Sequence, residues 1–292
     1  MFTQLLGSYL LNNNYLNVNQ LTNAIEFQKN VHVKIGVLAV NSGFMTAKDI
    51  QAVHDMQKIK DKRFGELAIE MGFLNDEKLD SLLNTQKSDY LLLGQALIEK
   101  EYLTLEQFEE AVNNYKKDNN LTNDKFNRLQ NEDIDEIIDT FYNFRDSSES
   151  STYKYYLSIF IKNLIRFIDS DFKPVDILPI NDYKVKWGTS QEIIGQSNLK
   201  TYISTDEKTF ISFAEKFADE TFSSNDEYVQ ASVGEFLNVV NGIYIVNMSN
   251  NGTELELTPQ DVLSDCTLTN LSEAFCIPLE FSFGRVDFII SK

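Results

Sequence analysis

The chain has 292 residues, 42% hydrophobic and 24% charged, enough for two domains with separate cores. A net charge of −18 disfavours nucleic acid held through its phosphates. Two cysteines, Cys266 and Cys276, without Cys-x-x-Cys spacing exclude a disulfide scaffold and a cysteine zinc site.

His32 and His54 lack the carboxylate spacing of a metal cluster and read as structural or surface residues. There is no run of 18 apolar residues and no charged-then-apolar leader. The expectation is a cytoplasmic protein with no membrane insertion and no metal or cofactor of its own. The acid is unevenly spread: residues 1–118 hold 12 Lys/Arg against 16 Asp/Glu, and residues 119–292 hold 14 against 28. A solvated surface explains this, and so does attraction to a basic or metal-bearing partner.

From the first residues the chain repeats. "LLGSYLLNNNYLNVNQLTNAIEFQ", "KIGVLAVNSGFMTAKDIQAVHDMQ", "RFGELAIEMGFLNDEKLDSLLNTQ" and "LLGQALIEKEYLTLEQFEEAVNNY" align without gaps. Gly7, Gly36, Gly65 and Gly94 form one column, 29 residues apart. Asn14, Gly43, Gly72 and Glu101 form a second, and Gln28, Gln57, Gln86 and Tyr115 a third. Each unit predicts two short helices. The first stops at the Gly/Asn column, where left-handed backbone costs little. The second starts at a capping residue, Asn17, Thr46, Asn75 or Thr104. Leu79, Leu82 and Leu83 space as a buried face. A single unit buries too little, so packed pairs or a stack are expected.

The pattern basic-apolar-Gly-x-x-Leu, then Gly-apolar, then Gln over residues 3–117 resembles the MshE-type N-terminal domain of type II secretion and type IV pilus ATPases. Some members of that group bind cyclic di-GMP. The resemblance implies a ligand set of Lys34, Gln57, Arg63 and Gln86, from repeats two and three. Repeats one and four open with Leu5 and Leu92 instead, and no GxxxxGK[ST] phosphate loop occurs anywhere in the chain. Packing and capping account for the same glycines and glutamines, and docking of a protein partner is a third reading.

Next comes a join. Lys117–Asn123 reads as a linker, and Ile134, Ile137, Ile138, Phe141 and Phe144 fit one face of a helix over Asn131–Phe144. "RDSSESST" reads as a second break. The division is thus 1–118 for the all-α repeats, 119–152 for linker and leading helix, and 153–292 for a second domain, whose start extends back as far as 125. In that domain Tyr153–Ile168 predicts an amphipathic helix, and "YKVKWGTS" and "EIIGQSNLKTYIS" predict strands. Phe210–Ala218 predicts a helix, and "DEYVQASVGEFLNVVNGIYIVN" predicts a helix running into a strand. "IYIVNMSNNGTELELTPQ" reads as a hairpin with an Asn-Asn-Gly turn, and "CIPLEFSFGRVDFIIS" as one bent at Gly284. About six strands beside grouped helices make an α+β domain with a mainly antiparallel sheet.

At 100° per residue, Val229, Val233, Phe236, Leu237 and Val240 fall in one stripe of the 226–247 segment. Ala231, Glu235, Asn238 and Gly242 fall opposite, with Glu235 and Asn238 one turn apart. A solvated face more often carries long charged side chains. Small residues around two polar tips suit close approach of another surface. For Gly242 a C-cap role at the end of the helix explains the residue equally well.

The motif Glu-x-x-Asn-x-x-x-Gly on a helix before a hairpin is similar to the CheC/CheX/FliY phosphatases of chemotaxis, and nearest to CheX, which has one such helix where CheC has two. The likeness covers about residues 125–292. Its members often carry Asp or Ser four residues before the Glu, where this chain has Ala231, with Ser232 next to it. The resemblance implies hydrolysis of an aspartyl phosphate on a CheY-type receiver. Asn238 would orient the attacking water, Glu235 would pair with the receiver's Lys, and Ala231 and Gly242 would border the docking surface. Mg²⁺ belongs to the receiver in that scheme. The resemblance also implies a homodimer through the sheet. An inactive adaptor that binds a receiver or another protein, controlled by cyclic di-GMP at the repeats, is the alternative.

Overall fold

The computed structural model describes residues 1–84, 88–144 and 147–292. Contacts divide these between Asp133 and Ile134 into two compact units.

The first unit holds nine helices among the described residues: α1 Phe2–Asn12, α2 Val18–Gln28, α3 Ile35–Asn41, α4 Ala47–Gln57, α5 Phe64–Glu70, α6 Asp76–Asn84, α7 Asp89–Glu99, α8 Leu105–Asp118 and α9 Asn123–Gln130. The four aligned segments are the four helix pairs α1–α2 through α7–α8. Their columns have physical causes. Asn14, Gly43, Gly72 and Glu101 all have positive φ, at 59°, 67°, 79° and 56°, and each reverses the chain after the first helix of its pair. The caps act as expected: Asn17, Thr46 and Thr104 close capping boxes, and Asn75 Oδ1 accepts the Lys78 N–H at 2.8 Å. The early glycines stand where the first helix of a pair crosses the second. A Cβ added to each would meet the side chain fourteen positions on: Leu21 at 3.4 Å from Gly7, Ile50 at 3.1 Å from Gly36, Leu79 at 2.9 Å from Gly65, and Phe108, within 2.6 Å, from Gly94. Packing therefore accounts for this column. Helix α9 lies within the 119–152 stretch read as linker and leading helix, ahead of the helix expected over Asn131–Phe144; Phe126 and Leu129 are buried and hold it to the unit.

The second unit opens with α10 Ile134–Phe141 and α11 Ser150–Phe167. The expected helix to Phe144 is shorter, ending at Phe141. Phe144 is still buried, its ring 5.1 Å from that of Phe275. Then follow β1 Phe172–Pro174, β2 Leu178–Ile180, β3 Tyr183–Gly195, β4 Leu199–Thr205, α12 Glu207–Ala218, α13 Glu227–Asn250, β5 Leu255–Leu257, β6 Asp261–Leu268, β7 Ala274–Phe281 and β8 Gly284–Ser291. The sheet has eight strands rather than about six, in the order β1-β7-β8-β4-β3-β5, with β2 also on β7 and β6 also on β3. Every pairing is antiparallel. Three strands went unread: β1 and β2, three residues each and too short for alternation to register, and β6, whose apolar residues are interrupted by Ser264 and Asp265.

Alternation along the strands sorts two apolar sets. Ile203, Phe275, Ile277, Leu279, Val286, Phe288 and Ile290 join the core with α11, α12 and α13, while Tyr202, Cys276 and Ile289 form a smaller cluster on the other face. Aromatic edges knit the main core: Phe160 stacks on Phe288 at 3.9 Å, and Phe236 meets Phe160, Phe213 and Phe217 edge-on at 5.1–5.9 Å. Cys266 and Cys276 are free thiols; burial pushes the Cys276 thiol up to about 12.

Two expectations are overturned. Of the expected buried face Leu79, Leu82 and Leu83, only Leu82 is buried, and Leu83 is 60% exposed. Ile243–Val246, read as the start of a strand, continues α13 as helix to Asn250, where Gly252, at φ +84°, ends it. The β-branched run has strand propensity, but Tyr244 falls on the same stripe as Leu237 and Val240 and is fully buried against Tyr156, ring to ring 5.2 Å. Burial outweighs a propensity worth only tenths of a kcal/mol per residue, roughly. Gly242 is therefore interior to the helix, eight residues before its end, and no C-cap.

Candidate functional site

Helix α13 starts at Asp226, whose carboxylate accepts the Tyr228 and Val229 N–H groups at 3.0 and 3.1 Å. Val229, Val233, Phe236, Leu237, Val240 and Tyr244 are buried toward the sheet. On the opposite side Ala231 and Glu235 are exposed, and Asn238 and Gly242 half-buried. Asn238 Nδ2 donates to Glu235 Oε2 at 3.3 Å, so the two tips act as one group. A Cβ at Gly242 would meet nothing within 4 Å, so nothing inside the chain asks for glycine there. The strip also has apolar ends. Tyr228, 77% exposed, and Val246, 59% exposed, bracket the polar pair along the same side of the helix. Val246 joins the strip only because Ile243–Val246 is helix and not strand.

Beneath the strip lies a polar chain absent from the sequence reading. Gln191 (β3) and Thr201 (β4) are cross-strand partners on the helix-facing side of the sheet, 2% and 0% exposed. Gln191 Nε2 donates to Asn238 Oδ1 at 3.0 Å and to the Thr258 backbone carbonyl at 2.9 Å. Gln191 Oε1 accepts from Asn241 Nδ2 at 2.8 Å, and that amide also donates to Thr201 Oγ1 at 3.1 Å. The Tyr156 hydroxyl donates to Asn241 Oδ1. Burial pushes the Tyr156 hydroxyl far above its ordinary range, so it stays protonated and a donor. Thr258 is itself pinned to β3: its N–H donates to the Glu192 carbonyl and its Oγ1 accepts the Glu192 N–H, at 3.0 and 3.1 Å. One sequence signal existed for this chain. Asn241 sits at the border of an otherwise apolar stripe, and a buried amide has to be satisfied.

In the first unit the candidate ligand residues are scattered. Lys34 precedes α3, its Nζ 3.2 Å from Glu99 and its N–H bonded to Gln95 Oε1 at 3.1 Å. Gln57 ends α4 and donates to the Lys62 carbonyl at 3.2 Å, with His54 Nδ1 3.1 Å from its Oε1. Arg63 precedes α5 and is exposed. Gln86 lies outside the described residues. A groove of about 840 Å³ is lined by Lys34, Gly36, His54, Phe64 and Gln95, among others; Gln57 and Arg63 border its neighbours without lining it. Among the described residues no helix is long and apolar enough to cross a membrane.

No family model matches the chain, and no curated protein matches it. Among solved structures it is similar to a CheC-like superfamily protein from Shewanella sp. PV-4, 22% identical, with a TM-score of 0.42 over 47% of this chain and 93% of that one. A chemotaxis protein CheX from Desulfovibrio desulfuricans is 14% identical, with a TM-score of 0.42 over 48% and 97%. A CheX–CheY–BeF3–Mg²⁺ complex from Borrelia burgdorferi is 16% identical, with a TM-score of 0.41 over 48% and 96%. Similarity at this level fixes neither an activity nor a site residue.

Proposed function

We propose that the second unit dephosphorylates a CheY-type receiver, with Glu235 and Asn238 as its working pair. One observation carries the reading. The two side chains share an exposed strip 3.3 Å apart, and the amide of Asn238 is bonded from below. The chemistry asks for little more. A phosphorylated receiver brings its own Mg²⁺, its Lys and its acyl phosphate. What hydrolysis lacks is a water held in line with the scissile P–O bond. The water oxygen forms the new P–O bond as the bond to the aspartyl oxygen breaks. Inorganic phosphate and the receiver's carboxylate are released, and the water proton leaves with phosphate or solvent. An amide orients that water through one donor and one acceptor without a charge to repel the phosphoryl oxygens. Glu235 pairs with the receiver's Lys and sets the register of docking.

Ala231 and Gly242 let the receiver come close, and Gly242→Ala separates this role from stability. With open space at that Cβ, alanine in a helix interior raises stability by roughly 0.5–1 kcal/mol. Thermal unfolding should shift upward while affinity for a beryllofluoride-loaded receiver falls. An unchanged affinity would remove Gly242 from the docking surface.

The first unit acts as a scaffold or sensor for this activity, and the groove past Lys34 is where cyclic di-GMP would enter. Calorimetry should give a heat of binding that Lys34→Ala weakens about tenfold, the worth of one charge-assisted contact of roughly 1.4 kcal/mol. No heat at high ligand concentration leaves the repeats a scaffold and moves the ligand idea off this chain.

A further inference from the structure

We infer that Gln191, a strand residue with no exposed polar atom to offer a partner, is the positioning residue that sets which way the Asn238 amide faces. The inference rests on the phosphatase reading for its catalytic consequence, but the orientation itself is a property of this chain alone.

An amide side chain can be turned end for end, and the right orientation has to come from its partners. Here the choice begins at a group that cannot flip. The Thr258 carbonyl, on a residue held to β3 through its N–H and its hydroxyl, only accepts. It lies 2.9 Å from Gln191, so that end of Gln191 must be the NH₂. The second hydrogen of that NH₂ points at Asn238 3.0 Å away, which must present its oxygen. The NH₂ of Asn238 is thereby turned outward to Glu235. The deep end follows from the same choice. Gln191 Oε1 faces Asn241 Nδ2, and Asn241 Oδ1 faces the hydroxyl of Tyr156, which burial keeps protonated. The donors thus all run one way, from Tyr156 through Asn241, Gln191 and Asn238 to the carboxylate of Glu235. Such a chain polarises each member in the same sense. Tyr156, Asn241 and Gln191 are nearly or wholly buried, so solvent does not compete for their bonds.

The consequence for the surface is specific. Asn238 meets the receiver with its N–H edge and one remaining lone pair of Oδ1, already oriented before docking. Without Gln191 the amide keeps only its exposed 3.3 Å bond to Glu235, and its inward oxygen is no longer held before docking.

The test uses the full chain and a phosphorylated receiver. Gln191→Met keeps volume and removes both donors. With fold checked by thermal unfolding, kcat should fall at least about tenfold, since misplacement of a reacting group by an ångström costs up to a hundredfold. KM should stay within about twofold, because Glu235 and the docking strip are untouched. In an Asn238→Ala background, Gln191→Met should cost nothing further, as expected of a residue that acts only through Asn238. A wild-type kcat in Gln191→Met, or an equal further loss in the Asn238→Ala background, overturns the inference. A second measurement is independent of catalysis. The side-chain carbonyl carbon and amide nitrogen shifts of Asn238 in NMR spectra should report a hydrogen bond accepted at Oδ1 in the wild type and move to solvent-like values in Gln191→Met. Identical signals in both would overturn the orientation even if no receiver is ever hydrolysed. A wild type inactive on every receiver, with the amide signals as expected, sinks the phosphatase reading and leaves the orientation standing.

Discussion

Asn238→Ala should abolish accelerated receiver dephosphorylation, by about a hundredfold or more, and leave docking nearly intact. The side chain is half-buried and its inward bond goes to Gln191, which keeps a second acceptor in the Thr258 carbonyl. Loss of the amide therefore costs the fold only about 1 kcal/mol, the usual net worth of one hydrogen bond. The catalytic loss is larger because the amide does its work in the transition state, when the water must already lie in line. Glu235→Ala should divide the other way. Its carboxylate is exposed until a receiver Lys covers it, so its removal weakens binding by roughly 2 kcal/mol, about thirtyfold, with a smaller change in kcat. Decay of the phosphorylated receiver, followed against chain concentration, separates the two variants. If Asn238→Ala keeps full activity, the water-orienting role is wrong. If wild type accelerates decay of no receiver, the adaptor alternative takes its place.

The second large effect concerns the repeats. Alanine at the four aligned glycines should destabilise the first unit in the order of the clash each Cβ makes. Gly7→Ala meets Leu21 at ordinary contact distance and should be neutral or stabilising. Gly36→Ala asks Ile50 to give a few tenths of an ångström, and Gly65→Ala asks Leu79 to swing aside. Gly94→Ala drives a methyl into the ring edge of Phe108, which is 4% exposed and cannot shorten. Overpacking of that kind costs about 2–3 kcal/mol. At several degrees per kcal/mol for a unit of this size, its transition should fall by roughly 5–10 °C. A calorimetric scan of the whole chain reads the series. Four equal shifts, or a tolerated Gly94→Ala, would detach the column from helix crossing and reopen a ligand role for it.

Both predictions start from features visible in the bare chain, but with unequal help from the fold. The repeat was legible because its causes are local. A left-handed residue after the first helix, a cap before the second and a glycine at the crossing recur every 29 residues and need no distant partner. The pairing of Glu235 with Asn238 was legible for the same reason, since helical period alone puts them on one side. The start of α9 and the shortening of α10 were not, because burial of Phe126 and Phe144 depends on segments far along the chain.

Sequence by itself thus determined the helix pairs, the α+β character of the second unit and the two polar tips, all of which follow from period, capping and chain direction. Tertiary structure decided the rest of the site. It extended α13 through Ile243–Val246 because Tyr244 is buried against Tyr156, which moved Gly242 into the helix interior. It also brought Gln191, from a strand 47 residues earlier, under Asn238. Hydrogen bonds between strand and helix carry no period, so no pattern along the chain could reveal which residue holds the amide.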